Sequence, residues 1–220
     1  MVQTCEAAGT LLVVNHNRRF NPNYRRLRDL VAAGELGDLT SVSVQWGTGR
    51  LGNVGTHLID AAVMLTGRAV RAVSGTLDRT GRPDCRGPQF RDPGGWGLLR
   101  LDGGLIATVD AADEARGPAR VILNGTKGRA ITGGDDVTLE FWDGRRDHWT
   151  SRRGEATSMD RALAEIVAWL DGGQPFPYAP QEAVGVLEAI VGFHASHARS
   201  GAWVELPLGG EDRDREVRSG

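Results

Sequence analysis

The chain has 220 residues, a formal net charge of −2 and a pI near 6.2. It is long enough to bury a substantial core, and its charge favours neither nucleic acid nor a membrane surface as a partner. Two cysteines exclude a disulfide framework and a cysteine-rich metal site. No apolar run reaches the ~20 residues of a membrane span and no signal-peptide pattern opens the chain, which predicts a cytoplasmic protein.

The first residues predict a helix that ends at Gly9, followed by a short strand. The run Leu11-Leu12-Val13-Val14 is typical of a strand that is buried on both faces of a parallel sheet. A parallel strand needs neighbours joined by crossovers, and the sequence before it supplies none. This strand is therefore expected to be the remnant of another domain.

A second helix is predicted after a basic loop. Asn21 is a typical N-cap residue and Pro22 a typical first helical residue. The apolar face of this helix would consist of Tyr24, Leu27, Leu30 and Val31. His16, Arg18 and Arg19 precede it, and they form either an anion-binding cluster or a solvated loop in which one arginine makes an internal salt bridge.

Strand patterns dominate the middle of the chain. Alternating apolar and polar residues predict strands at 39–46, 69–77, 96–101, 105–110, 120–124, 129–132 and 137–142. Turn signals between them indicate consecutive hairpins, and residues 79–95 predict a loop. We expect an α+β fold with a large, open, mostly antiparallel sheet and helices on one face. Apolar residues such as Leu99, Leu101 and Ile122 would then remain on the uncovered face and predict a homodimer.

The stretch from Gly52 to Gly67 predicts a helix with two candidate functional side chains. His57 and Asp60 are three residues apart and therefore lie on one stripe. The helix N-terminus opposes protonation of His57, whereas the Asp60 carboxylate favours it. Such a histidine is suited to general-base chemistry near neutral pH. The alternative is that His57 supports the helix and Asp60 only orients it.

Two more helices and a short strand are predicted after Gly154. The helix from Ser158 would carry Ala162, Ile166, Trp169 and Leu170 and end at Gly172-Gly173. The helix from Pro180 would turn Val184, Leu187, Ile190 and Val191 inward. A strand at 203–208 and a disordered tail at 209–220 would complete the chain.

Several motifs occur in a fixed order: N-H-N-R-R-F-N-P-N-Y, L-V-A-A-G-E-L-G-D-L, G-T-H-L-I-D-A-A-V-M-L-T-G, I-L-N-G-T-K-G-R-A-I and A-S-H-A-R-S-G-A-W-V-E-L-P. Together they resemble the Gfo/Idh/MocA oxidoreductases, the family of glucose–fructose oxidoreductase and inositol dehydrogenase. The resemblance implies an enzyme that moves a hydride between NAD(P) and a sugar, inositol or similar polyol. It divides the chain into a dinucleotide-binding remnant (1–18), a substrate and oligomerisation domain (19–208) and a tail (209–220).

The resemblance also assigns candidate site residues. The family histidine, in an Asp-x-x-x-His arrangement, falls on His57, so that Asn53 occupies the aspartate position. Asparagine cannot supply the negative charge that would make the histidine a stronger base. The catalytic candidates are therefore His57, Asp60 and Asn53.

The family's cofactor-binding elements have no clear counterpart here. The lysine of the family's Glu-Lys-Pro motif would lie before Met1, and Lys127, the only lysine of the sequence, occupies a hairpin turn. Residues 47–52 have the spacing G-x-G-x-x-G but lack the βαβ unit that should follow, and predict a mobile loop. We therefore expect no cofactor-binding and no metal-binding residues, and expect that NAD(P), implied by the resemblance, is not bound by this chain alone.

Three interpretations follow. The chain is a truncated or split oxidoreductase, whose cofactor half is lost or lies on a separate dinucleotide-binding chain. It is instead a cofactor-independent isomerase, lyase or epimerase that uses His57, with Asp60 as the only local partner. Or it is a non-catalytic binding or dimerisation module.

Overall fold

The computed structural model describes residues 1–78, 82–84, 87–150, 156–172, 176 and 178–217. The strands are β1 (Leu39–Gln45), β2 (Val70–Leu77), β3 (Arg82–Asp84), β4 (Gly87–Asp92), β5 (Gly95–Leu101), β6 (Ile106–Ala111), β7 (Arg120–Gly125), β8 (Gly128–Gly133), β9 (Asp136–Phe141), β10 (Arg146–Trp149) and β11 (Val204–Glu205). The α-helices are α1 (Val2–Ala7), α2 (Pro22–Ala32), α3 (Thr56–Thr66), α4 (Ser158–Leu170), α5 (Pro180–Ala198) and α6 (Gly210–Arg213).

One large sheet forms the body of the molecule. Within the described ranges it has nine strands, in the order β10-β9-β8-β7-β1-β6-β5-β2-β11. Strand β1 pairs in parallel with β6, and the other pairs are antiparallel. The predicted α+β fold with a mostly antiparallel sheet is confirmed.

Helices cover one face of the sheet, as predicted. Helix α3 packs on β1 and β7, helix α5 packs on β2, and helix α2 packs on α3. The alternation in the strands explains this, because Val42 and Val44 of β1 are fully buried beneath the helices while Ser41 and Ser43 point to the other side.

The uncovered face has a different composition from the one predicted. Leu99 and Leu101 belong to the helix-covered core and are almost completely buried. These two leucines were assigned to the wrong face, since successive strand residues point to opposite faces. Ile122 of β7 does point away from the core side of the fully buried Val121 and Leu123 and is only half-buried. The uncovered face instead presents Trp96, which is 61% exposed, and Leu98.

Local signals fix the helix ends. The Asn21 side chain accepts hydrogen bonds from the backbone N–H groups of Asn23 and Tyr24, which confirms it as the N-cap of α2. Helix α3 ends at Gly67, which has the left-handed φ of 64° that favours glycine at this position. Of the predicted stop at Gly172-Gly173, Gly173 lies outside the described residues, while α4 ends at Leu170 and Gly172 has a left-handed φ of 86°.

Three predictions in the first 150 residues were wrong. Residues 11–14 form no strand, because no neighbouring strand pairs with them and the sheet includes only strands from β1 onwards. The predicted 79–95 loop contains the two-stranded hairpin of β3 and β4. Strand β10, which pairs with β9, was missed.

The C-terminal helices bury less than predicted. Val184 and Leu187 of α5 are 39% and 60% exposed, and Leu170 of α4 is also exposed. In the tail, the structure places the short helix α6, and Asp212 accepts a hydrogen bond from Arg199. Residues 218–220 lie outside the described ranges. In the described part of the chain, no helix combines the length and the apolar character that crossing a bilayer requires.

Candidate active site

A groove lies where the N-terminal segment meets the start of α3 and the start of α5. Its volume is about 420 Å³. The walls are mainly apolar, with Val14 from the segment before α2 and Val184 and Leu187 from α5. Its polar lining consists of His16 and His57 together with Asn15 and Thr56. An apolar pocket with a few convergent polar groups is the usual form of a small-molecule site.

The sequence around His57 directs this side chain into the groove. Leu58, Ile59, Ala61 and Ala62 of α3 are buried in the core, so the rotation of the helix about its axis is fixed. His57 lies beside that buried stripe and lines the groove. A π-helical turn, Leu51–Gly55, precedes α3 directly. Such turns are rare and often occur at functional sites.

His16 and His57 form a pair of imidazoles. Their ring centroids lie 5.7 Å apart and the rings meet edge to face, with an angle of 79° between the planes. The Nδ1 atoms of both rings are buried, and neither has a hydrogen-bond partner among the described residues. Buried polar atoms are rarely left unpaired, so these two nitrogens need an explanation other than the stability of the fold.

The environment favours the neutral form of both histidines. Burial lowers the pKa of His57 from its usual value, and the nearby charges of Arg18 and His16 lower it further, whereas Asp60 raises it by a smaller amount. Burial also lowers the pKa of His16, and there Asp60 opposes the effect. At neutral pH both rings can accept a proton or a hydrogen bond.

Asp60 forms an internal salt bridge with Arg19. It is fully buried, and its carboxylate accepts three hydrogen bonds from Arg19, from Nε to Oδ1 and Oδ2 at 2.9 Å each and from Nη2 to Oδ1 at 2.7 Å. Arg19 also donates to Glu182 at 2.6 Å. Arg19 is thus the arginine of an internal salt bridge, the second alternative given for the basic loop. The Asp60 carboxylate is committed to Arg19 and approaches His16 Nδ1 only to 3.9 Å.

Asn53 lies on the π-helical turn and not on α3. Its backbone N–H donates to Asp92 Oδ2 at 2.7 Å. The hydrogen bonds of the described residues include none between Asn53 and His57. A π turn closes i→i+5 hydrogen bonds, so it rotates the residues before α3 away from the i, i+4 stacking that the Asp-x-x-x-His arrangement implies.

Residues 47–52, predicted to be a mobile loop, are closely packed. Trp46 Nε1 donates to the Gly49 carbonyl at 2.7 Å, and Leu51 N donates to the Pro93 carbonyl at 2.9 Å. The N–H groups of Gly52 and Asn53 are occupied by the Asp92 carboxylate. A pyrophosphate needs free N–H groups and no adjacent anion, so this glycine pattern does not fit a dinucleotide.

Two contacts of the site could not be found from sequence. Glu182 follows Arg19 by 163 positions and reaches it through the start of α5. Asp92 lies in a region predicted to be a loop. No cluster of three or more His, Cys, Asp or Glu side chains that could hold a metal ion occurs in the described part of the chain.

One protein-family model matches part of the chain. Residues 44–131, which include His57, match the model of the GFO/IDH/MocA C-terminal domain. This segment is similar to the GFO/IDH/MocA C-terminal domain over 88 of the 220 residues. The resemblance predicted from the motifs is thereby confirmed. A comparison with curated protein sequences found no match.

Solved structures of low sequence identity share the fold. Levoglucosan dehydrogenase in complex with NADH and levoglucosan has a TM-score of 0.76 and 18% identity, over 94% of this chain and 69% of that chain. Aldose-aldose oxidoreductase from Caulobacter crescentus, complexed with glycerol, has a TM-score of 0.74 and 20% identity, over 93% and 67%. A super-repressor mutant of Gal80p from Saccharomyces cerevisiae has a TM-score of 0.72 and 14% identity, over 92% and 67%.

Proposed function

We propose that the chain supplies the substrate domain of an NAD(P)-dependent oxidoreductase that acts on sugars, inositol or similar polyols. One observation carries the proposal: His57, inside the segment that matches the family model, lines the groove with an imidazole whose buried Nδ1 has no hydrogen-bond partner among the described residues. Two similar folds, levoglucosan dehydrogenase and aldose-aldose oxidoreductase, are sugar enzymes by name and support this substrate class.

His57 is assigned the role of general base. Its lowered pKa keeps the ring neutral at pH 7, so it can accept the proton of a substrate hydroxyl. His16, edge to face with it, is placed to hydrogen-bond a neighbouring hydroxyl. Asp60 is assigned no role in proton transfer, because its carboxylate already accepts three hydrogen bonds from Arg19. Asn53 is given no direct contact with the substrate.

The cofactor is assigned to a dinucleotide-binding domain other than the residues of this sequence. The glycine pattern at 47–52 does not fit a pyrophosphate, for the reasons given above, and no step is assigned to NAD(P) on this chain. The apolar side chains at the mouth of the groove, Val14, Val184 and Leu187, are partly exposed, which suits a covering partner. The cytoplasmic location stays a prediction.

Reconstitution tests this proposal. The chain is mixed with a dinucleotide-binding half, and polyols and sugar acids are screened for reduction of NAD(P). We expect turnover only with both halves, and a 10²–10⁴-fold lower rate for His57→Ala. The isolated chain should bind NAD(P)H no more tightly than about 1 mM by calorimetry. Full activity of His57→Ala, or micromolar binding to the chain alone, would contradict the proposal.

A second candidate function rests on the His16–His57 pair. An isomerase or epimerase without a cofactor needs two acid–base groups, and the two imidazoles 5.7 Å apart provide them where Asp60 does not. Deuterium exchange from solvent into a substrate C–H bond, without NAD(P), distinguishes this function. If neither turnover nor exchange occurs with any substrate, the non-catalytic binding module is the remaining interpretation.

The uncovered face of the sheet is proposed as a homodimer interface. Trp96 and Leu98 are exposed there in an apolar group on β5. Light scattering at micromolar concentration should give a dimer, and Trp96→Lys should give a monomer. Exposed Leu163 on α4 offers a matched control, since Leu163→Lys should leave the dimer intact. A monomeric wild-type protein would exclude this interface.

A further inference from the structure

The π-helical turn before α3 is held by a carboxylate from a distant part of the chain. Asp92, at the end of β4, is completely buried and accepts hydrogen bonds from the N–H groups of Gly52 at 2.8 Å and Asn53 at 2.7 Å. Helix α3 has no side-chain cap of its own at Gly55. Asp92 therefore satisfies the N–H groups that the start of a helix leaves unpaired.

The backbone leading into this turn is strained. Thr48 and Arg50 have left-handed φ angles of 71° and 67°, which non-glycine residues rarely adopt. The neighbouring loops fix this conformation, since Thr48 N donates to the Ala115 carbonyl and Leu51 N donates to the Pro93 carbonyl, both at 2.9 Å. Strain of this kind persists only where the surroundings enforce it, and it clusters at functional sites.

The π-helical turn contains backbone hydrogen bonds of both the α type and the π type. The Arg50 carbonyl accepts from Val54 N at 2.8 Å, an α-type bond, and from Gly55 N at 3.2 Å, a π-type bond. In a regular α register, Asn53 and His57 would be i, i+4 neighbours on one helix face, and the amide could reach the imidazole. In the observed turn, His57 Nδ1 has no partner within the described residues.

We propose that Asp92 is a positioning residue of the candidate active site, which holds the turn in its π register and thereby keeps Asn53 away from His57 Nδ1. The imidazole Nδ1 then stays free of an internal hydrogen bond to Asn53, and the ring keeps its position at the groove. This inference rests on the proposed role of His57, but its test needs no turnover.

Nuclear magnetic resonance of histidine-labelled protein tests the inference with Asp92→Asn. The amide keeps the size of the carboxylate but offers one acceptor oxygen instead of two. We expect hydrogen exchange at Gly52 and Asn53 to become at least about tenfold faster, since one of their acceptors is lost. The His57 ring nitrogen signals should shift as Asn53 approaches Nδ1, and adding Asn53→Ala should reverse that shift.

Asp113→Asn is the matched control. Asp113 is also buried and accepts from the Gly94 N–H at 2.7 Å, but it does not contact the π turn through that bond. We expect its His57 ring signals to match those of the wild type. Equal shifts in both variants would indicate general loosening and overturn the inference.

Unchanged His57 signals in Asp92→Asn, together with faster exchange at Gly52 and Asn53, would give Asp92 a purely structural role and also overturn it. If Asp92→Asn does not fold, Asp92→Glu keeps the charge and displaces the carboxylate by one methylene. This variant should shift the same His57 signals by a smaller amount, and unchanged signals would again refute the inference. Failure of the proposed function would appear as absent turnover while these signals still respond.

Discussion

Helix α3 carries two ionisable side chains, Asp60 and His57, that differ in their hydrogen bonding. Asp60 is buried with three hydrogen bonds from Arg19, so its carboxylate is saturated. His57, less than one turn away, has a buried Nδ1 without a partner among the described residues. A saturated buried group supports the fold, whereas an unpaired one costs stability and has to be explained by something else. This difference in hydrogen bonding indicates a structural role for Asp60 and a functional role for His57, although the two residues are only three positions apart.

The strongest test of the saturated group is Asp60→Ala. It leaves the Arg19 guanidinium buried with only Glu182 to neutralise it, and breaking a buried ion pair in this way costs about 3–5 kcal/mol. Urea unfolding measures the loss. Arg28→Ala, which removes a partly exposed contact with Asp29, is the control and should change the free energy of unfolding by less than about 0.5 kcal/mol. If Asp60→Ala lowers the free energy of unfolding by less than about 1 kcal/mol, Asp60 does not stabilise the fold as a buried ion pair should.

His194 extends the comparison, because its protonation makes the stability of the fold depend on pH. Burial, with the charges of Arg215 and His197, lowers its pKa to about 4, and its Nε2 is unpartnered within the described part of the chain. Its pKa in the unfolded chain is about 6.5. Between these values the unfolded state binds more protons, so stability falls as the pH drops from about 6.5 to 4.

The expected loss from His194 over that window is about 3 kcal/mol. The free energy of unfolding should therefore decrease as the pH is lowered across this range, and the decrease should be smaller in His194→Gln. The lowered pKa values of His16 and His57 act in the same direction. If the free energy of unfolding depends on pH equally in the wild type and in His194→Gln, groups other than His194 cause the acid sensitivity.

The smallest expected effect is the most specific. His57→Phe keeps a planar ring but removes the unpartnered nitrogen, so the free energy of unfolding should stay equal or rise by up to about 1 kcal/mol. The same variant should lose any proton transfer. Thermal unfolding beside the turnover assay tests both. A marked loss of stability would mean that His57 supports the fold, the alternative that the sequence left open.

The sequence predicted elements whose cause is local. The alternation in β1 and the cap at Asn21 needed only neighbouring residues, and both were confirmed. The strand at 11–14 was wrong because an apolar run forms a strand only beside a partner. Helix α5 carries apolar residues on more than one side, so Val184 and Leu187 at the groove looked the same as the core residues.

Contacts between distant residues explain the rest of the candidate site. Arg19 and Asp60 are 41 positions apart, and no spacing rule joins them. The π register of residues 51–55 depends on Asp92, some 40 positions later. His57 was predicted as a candidate because it opens a helix, but the absence of a partner for its Nδ1 became visible only once the chain was folded.

Lys127 gives the molecule a practical property. It is the only lysine of the sequence and lies exposed at the turn between β7 and β8, where its Nζ donates to the Gly34 carbonyl at 3.4 Å. It is not among the residues that line the groove. With the terminal amine blocked, an amine-reactive fluorophore therefore modifies only the Lys127 side chain, and its emission reports assembly while the two imidazoles remain unmodified.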